Sequence, residues 1–517
     1  MSSAGGPALR ILKFGGSSLR HAAAIRRAVA VIASAGEGAR GVVVSAMGGV
    51  TDALLAAARR AELRDDGYHD ALETLGTRHL EAATALAEAG ERVELNATLE
   101  RAFADLADLL HGIYLLREAS ARTLDAVAGY GERLSSWIVA AALRAHGVAA
   151  EAVDARALIE TDDRFGAARV DFEATRARVR RHFADADPDR VQVVPGFVGA
   201  TPRGHATTLG RGGSDYTAAL LAAALDAGAL ELWTDVDAVM TADPGLVPEA
   251  RPIAHLSYVE LLELCHFGAK IVFPPAVHPS RAARIPVLIR NTFRPDAPCT
   301  TVTTEAGPHP PAVRGISSIP RIALLRLEGE GMIGVPGIAG RLFGALAEHD
   351  VSVILISQAS SEHSICFAVE PGAVERAVRA IEGTFALERR LGLVEPPVVE
   401  DELAIIAVVG AGMRERPGIA GAVFSTLGGL GINVRAIAQG SSELNISLVV
   451  AAADRPETVR ALHRTFIAGE EAARPPAVAG VAAAVPGTRG AAAGAGQARV
   501  ARAAAGARQA REAEPGR

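Results

Sequence analysis

The chain has 517 residues, of which 49% are hydrophobic and 4% aromatic, and its formal net charge at pH 7 is −6. This length predicts roughly two to four domains, and the small negative charge gives no electrostatic support for nucleic-acid binding. Its cysteines, Cys265, Cys299 and Cys366, are too far apart for a disulfide framework or a CxxC metal site. The N-terminus lacks a signal-peptide pattern, and no apolar run approaches the roughly 20 residues of a membrane span. We therefore expect a soluble, cytoplasmic protein with no membrane partner.

The first elements predict a βαβ unit of a parallel sheet. An apolar strand, 8–14, ends in Gly15-Gly16, a helix follows from about 19 to 35, and 40–45 has a buried-strand pattern. The glycine turn would lie at the carboxyl end of the strand, where open α/β sheets bind ligands. Lys13 precedes the turn and can bring a point charge to phosphate oxygens. The spacing of a Walker A loop is absent, so Lys13 beside two glycines is weak evidence when taken alone.

The next region is mostly helical. Thr51 is expected to cap a helix that follows the second strand, and 66–118 reads as helices without a chemical motif. A further helical pattern, 124–146, is interrupted by Gly129-Tyr130-Gly131-Glu132. A glutamate between glycines and apolar residues is unusual, and from local sequence it fits a solvated surface turn as well as a functional site.

The most informative stretch is 207–228. A predicted strand, 191–200, leads to Gly210, Gly212 and Gly213 around Arg211, and Ser214 and Asp215 then stand where a helix N-cap is expected. A glycine-rich turn before a helix lets backbone N–H groups approach an anion. A tight turn before a core helix would need the glycines but not the charged pair. The loop is therefore a candidate anion site.

The following segments complete an α/β domain. A strand over 231–237 brings Thr234 and Asp235 to its carboxyl end, and the turn at 240–244 then breaks the chain. Residues 256–267 read as a helix, which is followed by a second lysine, Lys270. Two closing strands are expected at 285–291 and 300–303.

Together these motifs carry a family resemblance. KFGGSSL, VSAMGGVTD, GYGERLS, TTLGRGGSDYTAA, LWTDVDAV, TADP and HFGAK stand in the order found in aspartate kinases. The chain resembles that family from about residue 10 to 450, and it looks most like the kinase half of the bifunctional aspartate kinase–homoserine dehydrogenases. The resemblance implies the amino-acid kinase fold, an α/β class with a mostly parallel central sheet.

The resemblance also implies a reaction and a set of roles. The reaction is phosphorylation of the β-carboxylate of L-aspartate by ATP, with Mg²⁺ expected at the phosphates and no metal ligands assigned to side chains. Lys13 would stabilise the transferred phosphoryl group and Asp215 would orient that lysine. The motif matches assign aspartate binding to Thr51, Glu132, Arg211 and Ser214, and nucleotide binding to Lys13, Gly15, Gly16, Ser17, Thr234, Asp235, Met240, Lys270 and Ile271.

Four positions depart from the family pattern. Ser17 replaces a common threonine, Met240 a tyrosine, Gly245 an arginine and Phe273 a histidine. Because Met240 and Gly245 lie on the nucleotide side, a regulatory or amino-acid-binding paralogue with a weakened nucleotide site is the first alternative. A kinase for another acid such as glutamate is a second alternative, against which the regulatory repeats described next argue.

The C-terminal third contains an internal repeat. PGIAG at 336–340 recurs at 417–421, and Gln358 and Gln439 stand at matching positions further on. Each copy reads strand, helix, strand, polar turn, strand, and the pair resembles the ACT domains of aspartate kinases. A structural duplication without regulatory function is the alternative. The resemblance implies L-threonine as effector, with contacts from Gln358 and Gln439, and a homo-oligomer formed through the ACT domains.

The chain after residue 468 is rich in Ala, Gly, Arg and Pro without apolar periodicity, so we expect it to be disordered and to contain no dehydrogenase domain. The predicted organisation is a kinase domain at 1–305, a linker at 306–318, ACT domains at 319–397 and 398–468, and a disordered tail at 469–517.

Overall fold

The computed structural model describes residues 9–468 except 39, 270, 306, 308–310, 359–362, 415 and 441. Lys270 and the predicted disordered tail, 469–517, therefore lie outside the described residues. None of the helices in the described part of the chain is both long and apolar enough to cross a membrane. The cytoplasmic location stays a prediction.

The N-terminal part is built on an eight-stranded sheet, counted over the described residues. The strands of this part are β1 (Arg10–Phe14), β2 (Gly41–Val44), β3 (Ala150–Ala152), β4 (Val191–Pro195), β5 (Val198–Ala200), β6 (Ala206–Thr208), β7 (Ala229–Thr234), β8 (His255–Ser257), β9 (Val287–Asn291) and β10 (Thr300–Thr303). The sheet order is β3-β4-β2-β1-β7-β9-β10-β8, and β5 and β6 form a separate hairpin. Strands β3 to β9 in this order are parallel, whereas β10 is antiparallel to β9. The predicted mostly parallel α/β sheet is confirmed.

Helices cover both faces of this sheet. They are α1 (Ala22–Ala35), α2 (Val50–Glu62), α3 (Gly67–Leu86), α4 (Ala89–Leu116), α5 (Ala121–Ala128), α6 (Tyr130–Ala145), α7 (Ala155–Leu158), α8 (Phe172–Asp185), α9 (Gly213–Ala224), α10 (Tyr258–His266) and α11 (His278–Ala282). Alternation along β1 separates two cores, because Leu12 and Phe14 pack with α1 to α6, whereas Ile11 packs with α7 to α10. The central strands β2 and β4 are thus covered on both sides, as their nearly continuous apolar sequences require.

The C-terminal part contains a six-stranded antiparallel sheet within the described residues. Its elements are β11 (Gly315–Glu328), α12 (Ile338–Glu348), β12 (Leu355–Gln358), β13 (Ser364–Val369), α13 (Val374–Thr384), α14 (Ala386–Arg390), β14 (Val398–Val409), α15 (Ile419–Gly429), β15 (Ala436–Ala438), β16 (Asn445–Ala451) and α16 (Arg455–His463). The order β12-β13-β11-β14-β16-β15 gives two matching three-stranded halves. The repeat predicted from PGIAG is confirmed, and each copy of that motif leads into a helix, α12 or α15.

The two halves share their longest strands. Residues 323–328 of β11 pair with β13 of the first half, whereas 315–319 pair with 405–409 of β14 in the second half. The first part of β11, which precedes the first repeat, is therefore a fourth strand beside β14 in the second half. Residues 315–318, which were predicted as linker, belong to this strand.

Two predicted elements are divided in the structure. The strand predicted over 191–200 breaks between β4 and β5, where Phe197 has a φ of 67°. A Cβ on the preceding Gly196 would lie 2.7 Å from the Cα of Ser214, so the break brings this turn against the start of α9. Likewise, the helix predicted over 256–267 begins only at Tyr258, because 255–257 form β8.

Candidate active site

Lys13 and Asp215 form an ion pair at the carboxyl edge of the parallel sheet. Lys13 lies near the end of β1, and Asp215 lies in the first turn of α9. Lys13 Nζ is 2.7 Å from Asp215 Oδ1, and each side chain is only 13% exposed. Water solvates such a pair poorly, so removing either member would leave a charge without compensation. The carboxylate therefore holds the ammonium group in one position.

Two glycine turns meet beside this ion pair. Gly15 and Gly16 follow β1, and a Cβ on Gly16 would lie 3.2 Å from the carbonyl oxygen of Ala46, in the turn that follows β2. A Cβ on Gly48 would in turn lie 3.0 Å from the carbonyl oxygen of Gly16. These contacts leave no room for side chains, so backbone groups line the cradle beside Lys13.

The turn before α9 is also built on glycine. Gly210 and Gly212 both have φ of 71°, and Gly212 is the N-cap residue of α9 without a side-chain cap. The prediction that Ser214 or Asp215 caps the helix is wrong, because both lie inside its first turn. Their side chains are thereby left available to the cavity, and the first N–H groups of α9 receive no side-chain cap.

A cavity of about 370 Å³ connects the ion pair with this turn. It is lined by Lys13, Ser45, Phe197, Gly210, Arg211, Gly212, Gly213, Ser214 and Asp215. The Arg211 guanidinium lies over the ring of Phe273, with its central carbon 5.8 Å from the ring centroid. Ser45 and Phe197 were missed from sequence. Ser45 directly follows β2 at the ligand-binding edge, a signal that could have found it, whereas Phe197 reaches the cavity through the strand break.

Glu132 is buried in α6, which excludes the surface-turn interpretation. Its carboxylate accepts a hydrogen bond from the Ala46 backbone, yet burial raises the pKa of Glu132 to about 8. Among the described residues, its Oε2 has no hydrogen-bond partner. Gly131 lets α6 approach α2 closely, because a Cβ there would lie 2.8 Å from the Cβ of Ala46 and 3.6 Å from Thr51 Oγ1. Such a carboxyl group is suited to a cationic partner that arrives with a ligand.

Thr51 lies inside α2 and does not cap it. The helix begins at Val50, and its N-cap is Gly49 in the left-handed region. Thr51 is half-buried on the side of α2 that α6 approaches. The predicted cap is therefore wrong, but Thr51 still lies beside the segment that carries Glu132.

Two of the residues predicted for the nucleotide, Thr234 and Asp235, lie at the carboxyl end of β7. Thr234 ends β7, and Thr234 Oγ1 donates to Asp235 Oδ1 at 3.1 Å. Asn291, which was not predicted as a site residue, donates from Nδ2 to the Asp235 carbonyl at 3.3 Å. Met240 and Ile271 are each half-buried. Lys270 falls outside the described residues, and Ser17 is half-buried in the turn that follows Gly16.

The two predicted effector residues lie on the C-terminal sheet. Gln358 ends β12 and Gln439 directly follows β15, and both side chains are exposed. Ser357 Oγ donates to the carbonyl oxygen of Ile437 at 2.9 Å. Strands β12 and β15 are the two edges of the sheet, so this contact brings the two matching segments next to each other.

Comparison with known proteins agrees with this architecture. The Amino acid kinase family profile matches residues 8–291, and the ACT domain profile matches 325–385 and 406–466. The Bifunctional aspartokinase/homoserine dehydrogenase 2, chloroplastic, of Arabidopsis thaliana is 36% identical over 465 residues, which are 88% of this chain and 50% of that protein. Aspartokinase 1, chloroplastic, of the same plant is 32% identical and covers 88% of this chain and 80% of its own length. The chain thus spans about half the length of the bifunctional relatives that it matches.

Solved structures show the same arrangement. E. coli aspartokinase III in complex with aspartate and ADP (R-state) is 29% identical with a TM-score of 0.76, covering 89% of this chain and 99% of its own. The lysine and aspartate complex (T-state) of that enzyme has a TM-score of 0.75 at the same identity and coverage. The chain therefore belongs to the amino acid kinase family. Within that family its match to Aspartokinase 1 places it among the aspartate kinases, with two C-terminal ACT domains.

Proposed function

We propose that this chain transfers the γ-phosphate of ATP to the β-carboxylate of L-aspartate. The observation that carries the proposal is the largely shielded Lys13–Asp215 pair, which lies in one cavity with Arg211 and between two glycine turns. This arrangement offers a cation and backbone donors to a phosphoryl group, and a second cation to a substrate carboxylate. E. coli aspartokinase III, a similar structure, is described with aspartate and ADP.

The chemistry needs no general base. A carboxylate is already a nucleophile at neutral pH, so the protein has to bring two anions together and spread the charge that develops on the transferred group. Lys13 supplies positive charge at that point, and Asp215 orients its ammonium group without taking a proton. Because Lys13 is largely shielded from water, its charge acts more strongly on the transferred phosphoryl group than an exposed lysine would.

The opposite end of aspartate meets two further groups. Arg211 offers the planar fork that matches the α-carboxylate, and the Phe273 ring beneath it limits how the guanidinium turns. Glu132 receives the α-ammonium group, which favours the ionised carboxylate and lowers its raised pKa when substrate binds. Thr51 and Ser214 add hydroxyl contacts. Binding through both charged groups on the α-carbon directs the β-carboxylate towards Lys13.

The cradle at Gly15 and Gly16 fits a nucleotide phosphate, because side chains are excluded from it and Lys13 stands beside it. We expect Thr234, Asp235, Met240, Lys270 and Ile271 to contact the rest of ATP. Groups of three metal-binding side chains are absent from the described residues, which suits Mg²⁺, since this ion is usually held by phosphates, water and one or two carboxylates. The exposed Asp235 carboxylate is the protein group that would hold it, and bound Mg²⁺ would neutralise phosphate charge.

A hydroxamate assay tests the proposal. The chain is incubated with ATP, hydroxylamine and either L-aspartate or L-glutamate, because an acyl phosphate is trapped as its hydroxamate. ATP-dependent product from aspartate alone is expected. Product from glutamate instead would show that the chain is a kinase for another acid. No product, together with aspartate binding seen by calorimetry, would assign a regulatory paralogue whose nucleotide site is weakened at Met240 and Gly245.

We further propose that L-threonine inhibits the kinase through the ACT domains. Helices α12 and α15 begin after glycines with φ of 89° and 92° and carry no side-chain caps, so their first N–H groups are open to a ligand carboxylate. Gln358 and Gln439 are exposed beside the contact between β12 and β15, where their amides suit a hydroxyl or ammonium group. A similar structure binds lysine instead. Ile356 and Ile437 are 47% and 44% exposed on the same edges, which supports assembly of a homo-oligomer there.

Measuring the kinase rate at increasing concentrations of each amino acid shows whether threonine or lysine is the effector. Threonine should inhibit more strongly, and Gln358→Ala and Gln439→Ala should relieve inhibition while the rate without effector stays unchanged. Inhibition by lysine alone, or full threonine sensitivity in both variants, would show that the effector assignment is wrong.

A further inference from the structure

A second cavity lies in the kinase part of the chain and is lined by residues other than those assigned to aspartate and ATP. Its volume is about 520 Å³, larger than that of the candidate active site. One wall is the last turns of α10, and the other is the turn Pro274–Val277 with α11 behind it. No residue lining this cavity lines the first one or belongs to the predicted nucleotide set. A volume of this size is typical of small-molecule sites, roughly 300–1,000 Å³.

The surface of this cavity is mostly apolar. Leu262 and Phe267 contribute from α10, and Pro274, Pro275 and Val277 contribute from the opposite wall. Phe267 and Val277 are buried in the core, so they form a rigid floor. Prolines cannot rearrange φ, which keeps the facing wall fixed. The cavity is thus preformed for a compact apolar group.

The polar side chains around the cavity favour an anion. His278 and Arg281 are one turn apart on one wall, and His266 lies on the other. Among the described residues the Arg281 side chain forms no salt bridge or hydrogen bond. The only acid in the lining, Glu263, already accepts a hydrogen bond from Asn445 Nδ2. The guanidinium of Arg281 is therefore available to a ligand carboxylate, and its planar fork suits that group.

The same walls contact both ACT domains. His266 Nε2 is 3.3 Å from the carbonyl oxygen of Ile354, directly before β12, and Asn445, which pairs with Glu263, begins β16. A ligand between His266 and Arg281 would contact residues that connect the kinase part with each ACT domain. Binding of a ligand in this cavity would therefore affect the strands that carry the predicted effector contacts.

We propose that this cavity is a second ligand site, which binds a small carboxylate with a branched or aromatic body. The apolar body lies against Leu262, Phe267 and Pro275, and the carboxylate lies at Arg281. Apolar amino acids and the matching 2-oxo acids share this chemistry. They differ in an ammonium group, for which the second oxygen of Glu263 is the carboxylate acceptor in the lining.

Calorimetry with the full chain tests this site without depending on kinase activity. The probes are L-leucine, L-phenylalanine, 4-methyl-2-oxopentanoate and phenylpyruvate. Each amino acid forms a pair with its 2-oxo acid, and we expect at least one pair to bind. If the amino acid of that pair binds more tightly than the 2-oxo acid, Glu263 receives the ammonium group. Arg281→Gln should weaken binding about tenfold or more, since a charge-assisted hydrogen bond is lost. Arg284→Gln, which removes the same charge three residues away outside the cavity, should leave the affinity unchanged.

A second variant tests the apolar wall. Leu262→Phe adds a ring inside the cavity and should weaken the branched probes while the fold, followed by circular dichroism, is retained. The proposal is overturned if none of the four probes binds. It is equally overturned if binding is unchanged in both Arg281→Gln and Leu262→Phe, because the ligand then lies elsewhere.

Discussion

Glu132→Gln should stabilise the free protein while removing aspartate binding. The wild-type carboxyl group is buried, and its pKa of about 8 lies far above the ordinary 4.5 of a glutamate. The protonated form is therefore favoured in the folded state. Glutamine has nearly the same shape and never ionises, so it removes the cost of keeping an acid in this environment.

The sign and size of the effect follow from proton linkage. Below about pH 4.5 both the folded and the unfolded wild type carry the proton, so the carboxyl group contributes no pH dependence. Between 4.5 and 8 only the unfolded chain loses the proton, and the free energy of unfolding falls by about 1.4 kcal/mol per pH unit. Above pH 8 the loss levels off at roughly 5 kcal/mol. The glutamine variant lacks this loss, so its advantage should grow from pH 5 to pH 8.

Urea unfolding of wild type and variant at several pH values measures this advantage, with Glu73→Gln on the exposed face of α3 as the matched control. The midpoint difference for Glu132→Gln should rise with pH, whereas that for Glu73→Gln should stay near zero. Calorimetry should show that the Glu132 variant no longer binds aspartate. A variant that is no more stable than wild type at pH 8, or that still binds aspartate normally, would refute the reasoning.

Three further substitutions probe other parts of the account. Lys13→Ala should lower the turnover rate by about a thousandfold or more, because the phosphoryl group loses its shielded cation, and a tenth of wild-type activity in the same assay would refute that role. Arg211→Lys should lower kcat/KM for aspartate about tenfold or more while nucleotide affinity measured by calorimetry is kept, since an ammonium group makes neither a bidentate contact nor the same stacking on Phe273. Glu260→Gln should destabilise the chain by about 3 kcal/mol, because this buried acid accepts from Arg314 and from the Ala411 backbone and so joins the kinase part to the C-terminal sheet. An unchanged urea midpoint in that variant would show that the contact contributes nothing.

Features that depend on local backbone chemistry could be predicted from the sequence. The pattern of a strand followed by a glycine turn predicted that Lys13 and Gly15 lie at the carboxyl edge of the sheet. The Arg-Gly-Gly turn predicted that Arg211 lies before α9. The PGIAG repeat predicted both ACT helices, because helix starts and apolar spacing are local signals. The burial of Glu132 could not be decided in this way, since it depends on the approach of α6 to α2 through Gly131.

The remaining features depend on contacts between distant residues. The turn at Phe197 is set by the packing of Gly196 against Ser214, and nothing in the strand pattern of 191–200 marks that contact. Residues 315–318 pair with 406–409, so a segment that was predicted as linker becomes a strand only when the second half of the sheet is present. Predicted caps at Thr51, Ser214 and Asp215 failed because preceding glycines in the left-handed region begin these helices instead.

Phosphorus NMR of the reaction itself tests the central claim most directly. The chain is mixed with ATP, Mg²⁺ and L-aspartate without any trapping reagent, and the spectrum is followed over time. We expect an acyl phosphate signal that grows together with ADP and disappears when hydroxylamine is added, and no such signal with L-glutamate. Formation of ADP and inorganic phosphate without an acyl phosphate, or no consumption of ATP, would contradict the proposed transfer to aspartate.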